Sequence, residues 1–137
     1  MPKLIKVAGK LKLIQEERED HEQLCRYMDT VYPKILYSSD TGSGFQMTNV
    51  QRIFTSRLRK MKGHPDLTIY EMRGGYGGLF IELKRSDVRI RKLNGEWSSE
   101  TIADQAYYME CLRKAGYYCT FAVGFMDAKG RIDEYLR

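Results

Sequence analysis

Residues His64 to Lys84 read His-Pro-Asp-Leu-Thr-Ile-Tyr-Glu-Met-Arg-Gly-Gly-Tyr-Gly-Gly-Leu-Phe-Ile-Glu-Leu-Lys. Leu67-Thr-Ile-Tyr70 is β-branched and aromatic, and Leu79-Phe-Ile-Glu-Leu-Lys84 is apolar until it meets two charges, so both read as strands. Arg73-Gly-Gly-Tyr-Gly-Gly78 between them has the backbone freedom of a hairpin connection. Side chains two apart on a strand share a face, about 6.5 Å apart along it. Glu82 and Lys84 therefore point the same way out of an otherwise buried strand. Burying a charge is costly unless it is paired or bound to a metal. Asp66 stands at the mouth of the partner strand, where pairing brings it beside Glu82. Two carboxylates with a lysine next to them suit a hard divalent cation and a phosphate.

Pro65-Asp66, a spacer of fifteen residues, then Glu82-Leu83-Lys84 resembles the PD-(D/E)XK nuclease signature. Lys62-Gly63-His64-Pro65-Asp66-Leu67, with Gln105 downstream, is most similar to the VRR-NUC branch of that superfamily. The resemblance covers roughly residues 15–136. It implies an α/β fold: a restriction-endonuclease-like core, a small mixed β-sheet flanked by helices. It also implies a metal-dependent nuclease acting on DNA. Asp66, Glu82 and the Leu83 carbonyl would hold Mg²⁺ or Mn²⁺. Lys84 would orient or help deprotonate the attacking water, and Gln105 would fix Lys84 or that water.

Upstream of the hairpin, Thr48-Asn-Val-Gln51 has the capping-box form and opens a helix expected to reach about Met61. Val50, Ile53, Phe54, Leu58 and Met61 form its apolar face. Arg52, Arg57, Arg59 and Lys60, with Lys62 beyond, form either a solvated face or a phosphate-contacting one. Before it come an extended stretch at Ile35–Tyr37 and a loop over Ser38–Gly44. A first helix is expected from Gln15 to Tyr32, ended by Pro33. Acidic residues crowd its first turns, where the helix dipole favours them. Members of the resembled family carry a metal-site glutamate on this helix, four residues before a Gln and seven before an apolar core residue. That register selects Glu17, with His21 standing in place of the Gln; Glu19 and Glu22 are the rivals. His21 and Cys25 are also spaced as zinc ligands, but two ligands do not make a zinc site. Residues 1–14 are set apart as a lysine-rich N-terminal arm, whether flexible, a strand added to the sheet, or a dimer contact. Residues 15–137 form a single domain.

Downstream, Arg85–Trp97 is a basic loop closed by a Gly turn, placed to lie against nucleic acid or anchored by Trp97 to the core. Ser98 or Ser99 caps a third helix over Glu100–Lys114, stopped by Gly116. Tyr117–Phe125 reads as a further core strand. Asp127-Ala-Lys-Gly130 reads as a turn into a last short helix bearing Ile132, Tyr135 and Leu136 on one face.

The chain's 137 residues suffice for one core. Its net charge of +5 suits a polyanion without establishing one. Cys25, Cys111 and Cys119 lack CxxC spacing and read as reduced thiols, which points to the cytoplasm. No apolar run approaches the ~20 residues of a membrane span, so no membrane partner is expected. The resulting expectation is a structure-selective endonuclease for junction, flap or other duplex DNA, acting as a homodimer because one centre cuts one strand. The alternatives are a non-catalytic nucleic-acid-binding module on the same fold and a sugar- or nucleotide-binding enzyme. The second lacks a phosphate-cradling glycine loop leading into a helix.

Overall fold

The computed structural model describes residues 2–40 and 48–137, with side chains from Glu16 onward. Its elements are α1 (Pro2–Val31), β1 (Tyr37–Ser39), α2 (Asn49–Arg57), β2 (Leu67–Ile69), β3 (Leu79–Lys84), α3 (Glu100–Lys114), β4 (Tyr118–Val123) and α4 (Gly124–Leu136). The four strands form one mixed sheet in the order β1-β2-β3-β4. β1 and β2 pair antiparallel, as do β2 and β3, while β3 and β4 run parallel. This is the α/β architecture expected from the sequence: a small mixed sheet flanked by helices.

Alternation along β3 divides the molecule into two layers. Leu79, Ile81 and Leu83 turn to one face and join Leu24 and Met28 of α1 with Ala128, Ile132 and Leu136 of α4 in the core. Tyr27 of α1 and Tyr32, just past its end, both donate hydrogen bonds to Asp133 of α4, which fastens these two helices over that face. Phe80, Glu82 and Lys84 turn to the other face, towards α3 and the loop that precedes it. Parallel strands need a crossover between them, and α3 supplies it, which places α3 beside Glu82.

Several boundaries differ from the sequence reading. α1 starts at Pro2, so residues 2–14 extend the first helix and are neither strand nor separate coil; proline is tolerated there because the first helical N–H needs no partner. β1 lies at Tyr37–Ser39, two residues later than expected, and most of the loop expected at 38–44 lies outside the described residues. The capping box of Thr48 and Gln51 is present, but α2 stops at Arg57. Its expected apolar face is not covered: Val50, Ile53, Phe54 and Leu58 are 54–77% exposed. Amphipathic spacing marks a stripe able to be buried, and burial also needs a facing surface. No turn forms at Asp127–Gly130, which lies inside α4. The chain turns instead at Gly124 (φ +80°), and Asp127 accepts the Val123 N–H at 2.8 Å in the first turn.

The outer edge of β4 is covered by side chains. Arg113 donates to the Cys119 carbonyl at 3.0 Å, Thr120 Oγ1 to the Phe121 carbonyl at 2.9 Å, and Asp127 takes the Val123 N–H. Such cover keeps an edge strand from pairing with another chain.

Candidate active site

Two of the expected site residues are fixed by the hairpin. Asp66 ends the loop that enters β2, and pairing of Leu67 with Ile81 brings it level with the Glu82–Leu83 peptide. Its Oδ2 accepts the Leu83 N–H at 3.1 Å. Leu83 thus enters the site through its amide, while its side chain stays in the core. Glu82 is only 3% exposed. Its Oε1 accepts from Gln105 Nε2 at 2.7 Å and lies 3.4 Å from Lys84 Nζ. Asp66, Glu82, Lys84 and Gln105, drawn from three segments of the chain, line one cleft of about 640 Å³.

The electrostatics of the pair are those of a carboxylate kept dry. Burial, and then the Asp66 carboxylate beside it, push Glu82 up to about 8, against the pull of Lys84. Asp66 is also raised by burial, opposed by His21 and the Leu83 N–H. Glu82 Oε2 and Gln105 Oε1 are buried without a hydrogen-bond partner from the protein. An orphaned carboxylate oxygen beside a second carboxylate is a donor set suited to a hard cation. No group of three or more His, Cys, Asp or Glu side chains able to hold a metal occurs among the described residues. Two carboxylates are still sufficient for Mg²⁺, which commonly binds through one or two of them and completes its shell with water and substrate phosphate. The residues therefore fit the metal that the sequence implied.

Of the helix α1 glutamates, Glu17 lines this cleft. Glu22 lies on the exposed side and pairs with Arg26 at 3.9 Å, and Glu19 is exposed. Four residues beyond Glu17, His21 is buried at 5% exposure. Its Nε2 faces Asp66 Oδ2 at 4.0 Å, and its Nδ1 lies 3.2 Å from Ser39 Oγ. The residue after β1 grips the same aspartate through its backbone, since the Asp40 N–H donates to the Asp66 carbonyl at 2.6 Å. The sequence marked His21 by its register with Glu17; nothing in it marked Ser39, which reaches the site only because β1 pairs with β2.

Gly63 sets the distance between the aspartate loop and α3. It has φ +101°, and a Cβ there would sit 2.8 Å from the Asp104 carbonyl oxygen and 3.0 Å from Gln105 Cα. Loop and helix thus meet backbone to backbone, one residue from the glutamine that holds Glu82. Ser99 caps α3 by accepting the Ile102 N–H at 3.1 Å, which fixes where that helix begins. At the rim, Arg59 just past α2 faces Asp40 at 3.8 Å, and Lys62 lines the same cleft.

No family profile matches the chain, and no curated protein does. Among solved structures, a protein described as "VRR_NUC domain protein" is similar to it, with 28% sequence identity and a TM-score of 0.50. The match spans 66% of this chain and 66% of that one. With Asp66, Glu82, Lys84 and Gln105 assembled in one cleft, this likeness supports a nuclease domain of the VRR-NUC kind.

Proposed function

We propose that the chain is a divalent-metal-dependent nuclease of the PD-(D/E)XK type that hydrolyses phosphodiester bonds in DNA. The observation that carries this reading is Glu82: a carboxylate 3% exposed, with one oxygen unpartnered, beside Asp66 and Lys84. Mg²⁺ or Mn²⁺ held by Asp66 and Glu82, with the Leu83 carbonyl and Glu17 as further ligands, would polarise the scissile phosphate and lower the pKa of a bound water. Gln105 holds Glu82 by its Oε1, which leaves Oε2 as the buried oxygen without a partner. Lys84, 3.4 Å from the same carboxylate, neutralises charge on the phosphate and orients the water. Arg59 and Lys62 at the rim take flanking phosphates, with affinity that falls as salt rises.

The preferred substrate in this proposal is a junction or flap, cut by a two-fold dimer that supplies a centre for each strand. Tyr107, Tyr108, Tyr117 and Tyr118 are candidates for the dimer patch, but Tyr108 packs on His64, Tyr117 on Phe80, and Tyr118 on Tyr76 and Tyr135. Tyr107 remains the exposed one of the four. Incubation with labelled duplex, flap and four-way-junction DNA, with and without Mg²⁺, tests the activity. Products that form only with the metal are expected, and their absence on every substrate sinks the reading. Light scattering tests the dimer: a mass of 16.0 kDa with and without DNA removes it.

A further inference from the structure

The molecule has a second cleft, of about 750 Å³, on the far side of α3. Helical spacing separates the two. Thr101, Asp104 and Gln105 line the acidic cleft, whereas Ala103, Tyr107 and Glu110, at i, i+4 and i+7, line the other. The outer half of β4 forms its floor through Phe121. The loop that leaves Lys84 forms one wall, closed by a bridge between Arg91 and Trp97. There the Arg91 guanidinium lies 3.8 Å over the Trp97 ring, and Trp97 leans on Phe121 at 5.8 Å. α4 forms the far wall with Arg131.

The chemistry of this cleft is unlike that of the catalytic one. Its charged groups are Arg91, Arg113 and Arg131 against Glu110 and Asp127, three positive to two negative. Its aromatic rings are Trp97, Tyr107 and Phe121, and Tyr107 is 64% exposed with Ala103 and Ala106 beside it. Arg113 and Arg131 spend part of their guanidinium hydrogens on the Cys119 carbonyl and Thr120 Oγ1, which holds them in fixed orientations. Each also faces a half-exposed carboxylate of the same cleft, Glu110 at 3.3 Å and Asp127 at 3.2 Å respectively. Rings that stack bases, among arginines that meet phosphates, are the recurrent means of gripping single-stranded nucleic acid without regard to sequence. A cleft of this volume takes a ligand of one or two nucleotides.

We propose that this cleft binds an unpaired DNA strand, with a base stacked on Tyr107 and the Arg91–Trp97 pair and its phosphates taking the places of Glu110 and Asp127 on Arg113 and Arg131. The inference rests on the nuclease reading for its purpose, which is to hold the single-stranded arm of a branched substrate while the duplex enters the acidic cleft. The binding itself requires neither metal nor catalysis.

Trp97 is the sole tryptophan, so its emission reports on this cleft alone. The test titrates the wild-type protein in chelator with pentathymidylate and, separately, with a blunt duplex hairpin whose strands are joined by a non-nucleotide linker, so that no base is unpaired. Saturable quenching by the single strand and none by the hairpin is expected. Tyr107→Ala and Arg91→Ala, both at exposed positions, should each weaken the single-strand titration about tenfold, in line with stacking worth about 1–3 kcal/mol per base. No quenching, or quenching equal for strand and hairpin, or quenching unmoved by both replacements, overturns the proposal. Hydrolysis of duplex in Mg²⁺ is measured in parallel. Cleavage without quenching removes the second cleft and leaves the nuclease reading standing; quenching without cleavage does the reverse.

Discussion

Strand β3 carries two surfaces of opposite character. Leu79, Ile81 and Leu83 on one face are at most 2% exposed and belong to the apolar cluster shared with α1, β2, β4 and α4. On the other face Phe80 and Lys84 are only partly buried, while Glu82 between them is 3% exposed and holds a carboxylate with an unpartnered oxygen. The first face gives up water for contact and stabilises the fold, at roughly 25 cal/mol per Å² of apolar surface. The second gives up water for a partial return: Gln105 and Lys84 meet one oxygen of Glu82 and leave the other without a partner. A strand that spends one face on stability can tolerate a destabilised charge on the other, and functional sites are commonly built this way.

Replacement of Glu82 should separate the two faces most sharply. Glu82→Gln keeps shape and volume but removes a metal ligand, and hydrolysis in Mg²⁺ should fall by roughly 10³-fold, the equivalent of several kcal/mol of lost charge stabilisation. In chelator at high pH the same variant should melt at or above the wild-type temperature, because a buried charge that Lys84 offsets only in part is gone. Retained activity would show that Glu82 is not a ligand. On the opposite face, Ile81→Ala should cost about 2–5 kcal/mol in urea titrations while turnover per folded molecule stays near wild type. A variant that unfolds no more readily would mean that this face is not the core.

The pH dependence of the metal-free protein provides a finer comparison. Glu82 binds its proton more tightly folded, with a pKa of about 8 against an ordinary 4.5. Its contribution to stability is therefore full below 4.5 and is lost as pH rises through about 8. Asp66, also raised, acts with the same sign. The difference in unfolding free energy between wild type and Glu82→Gln should decline across that window; a difference that is flat or climbs would contradict the burial argument. The smallest effect is expected at His21. His21→Leu should weaken Mn²⁺ binding, read by electron paramagnetic resonance, by about tenfold, as loss of a residue orienting a ligand commonly does. His21→Gln should recover most of it. Equal losses in both would reduce His21 to packing.

What the sequence disclosed was what lies close along the chain. The hairpin, the facing of Glu82 with Lys84, the Ser99 cap and the Thr48–Gln51 box all depend on spacings of a few residues. Gln105 was identifiable by its place in a resembled pattern. The contact of Ser39, His21 and Asp66 was not legible, because it joins three elements through strand pairing and helix docking. Two misreadings have local causes. Gly130 drew attention as a turn residue although the conformational demand falls on Gly124. The apolar spacing of α2 has the form of a buried stripe, yet the described chain offers no surface to cover it.

Gly63 limits what heredity can do at this site. Every single-base change in a glycine codon that alters the amino acid without ending the chain adds at least a Cβ, and here a Cβ falls 2.8 Å from a carbonyl oxygen. Backbone cannot swing aside as a side chain can, so a neighbour must be displaced, and the neighbour is the helix that carries Gln105. The position admits no gradual route of change: a lineage either keeps the hydrogen atom or moves the helix.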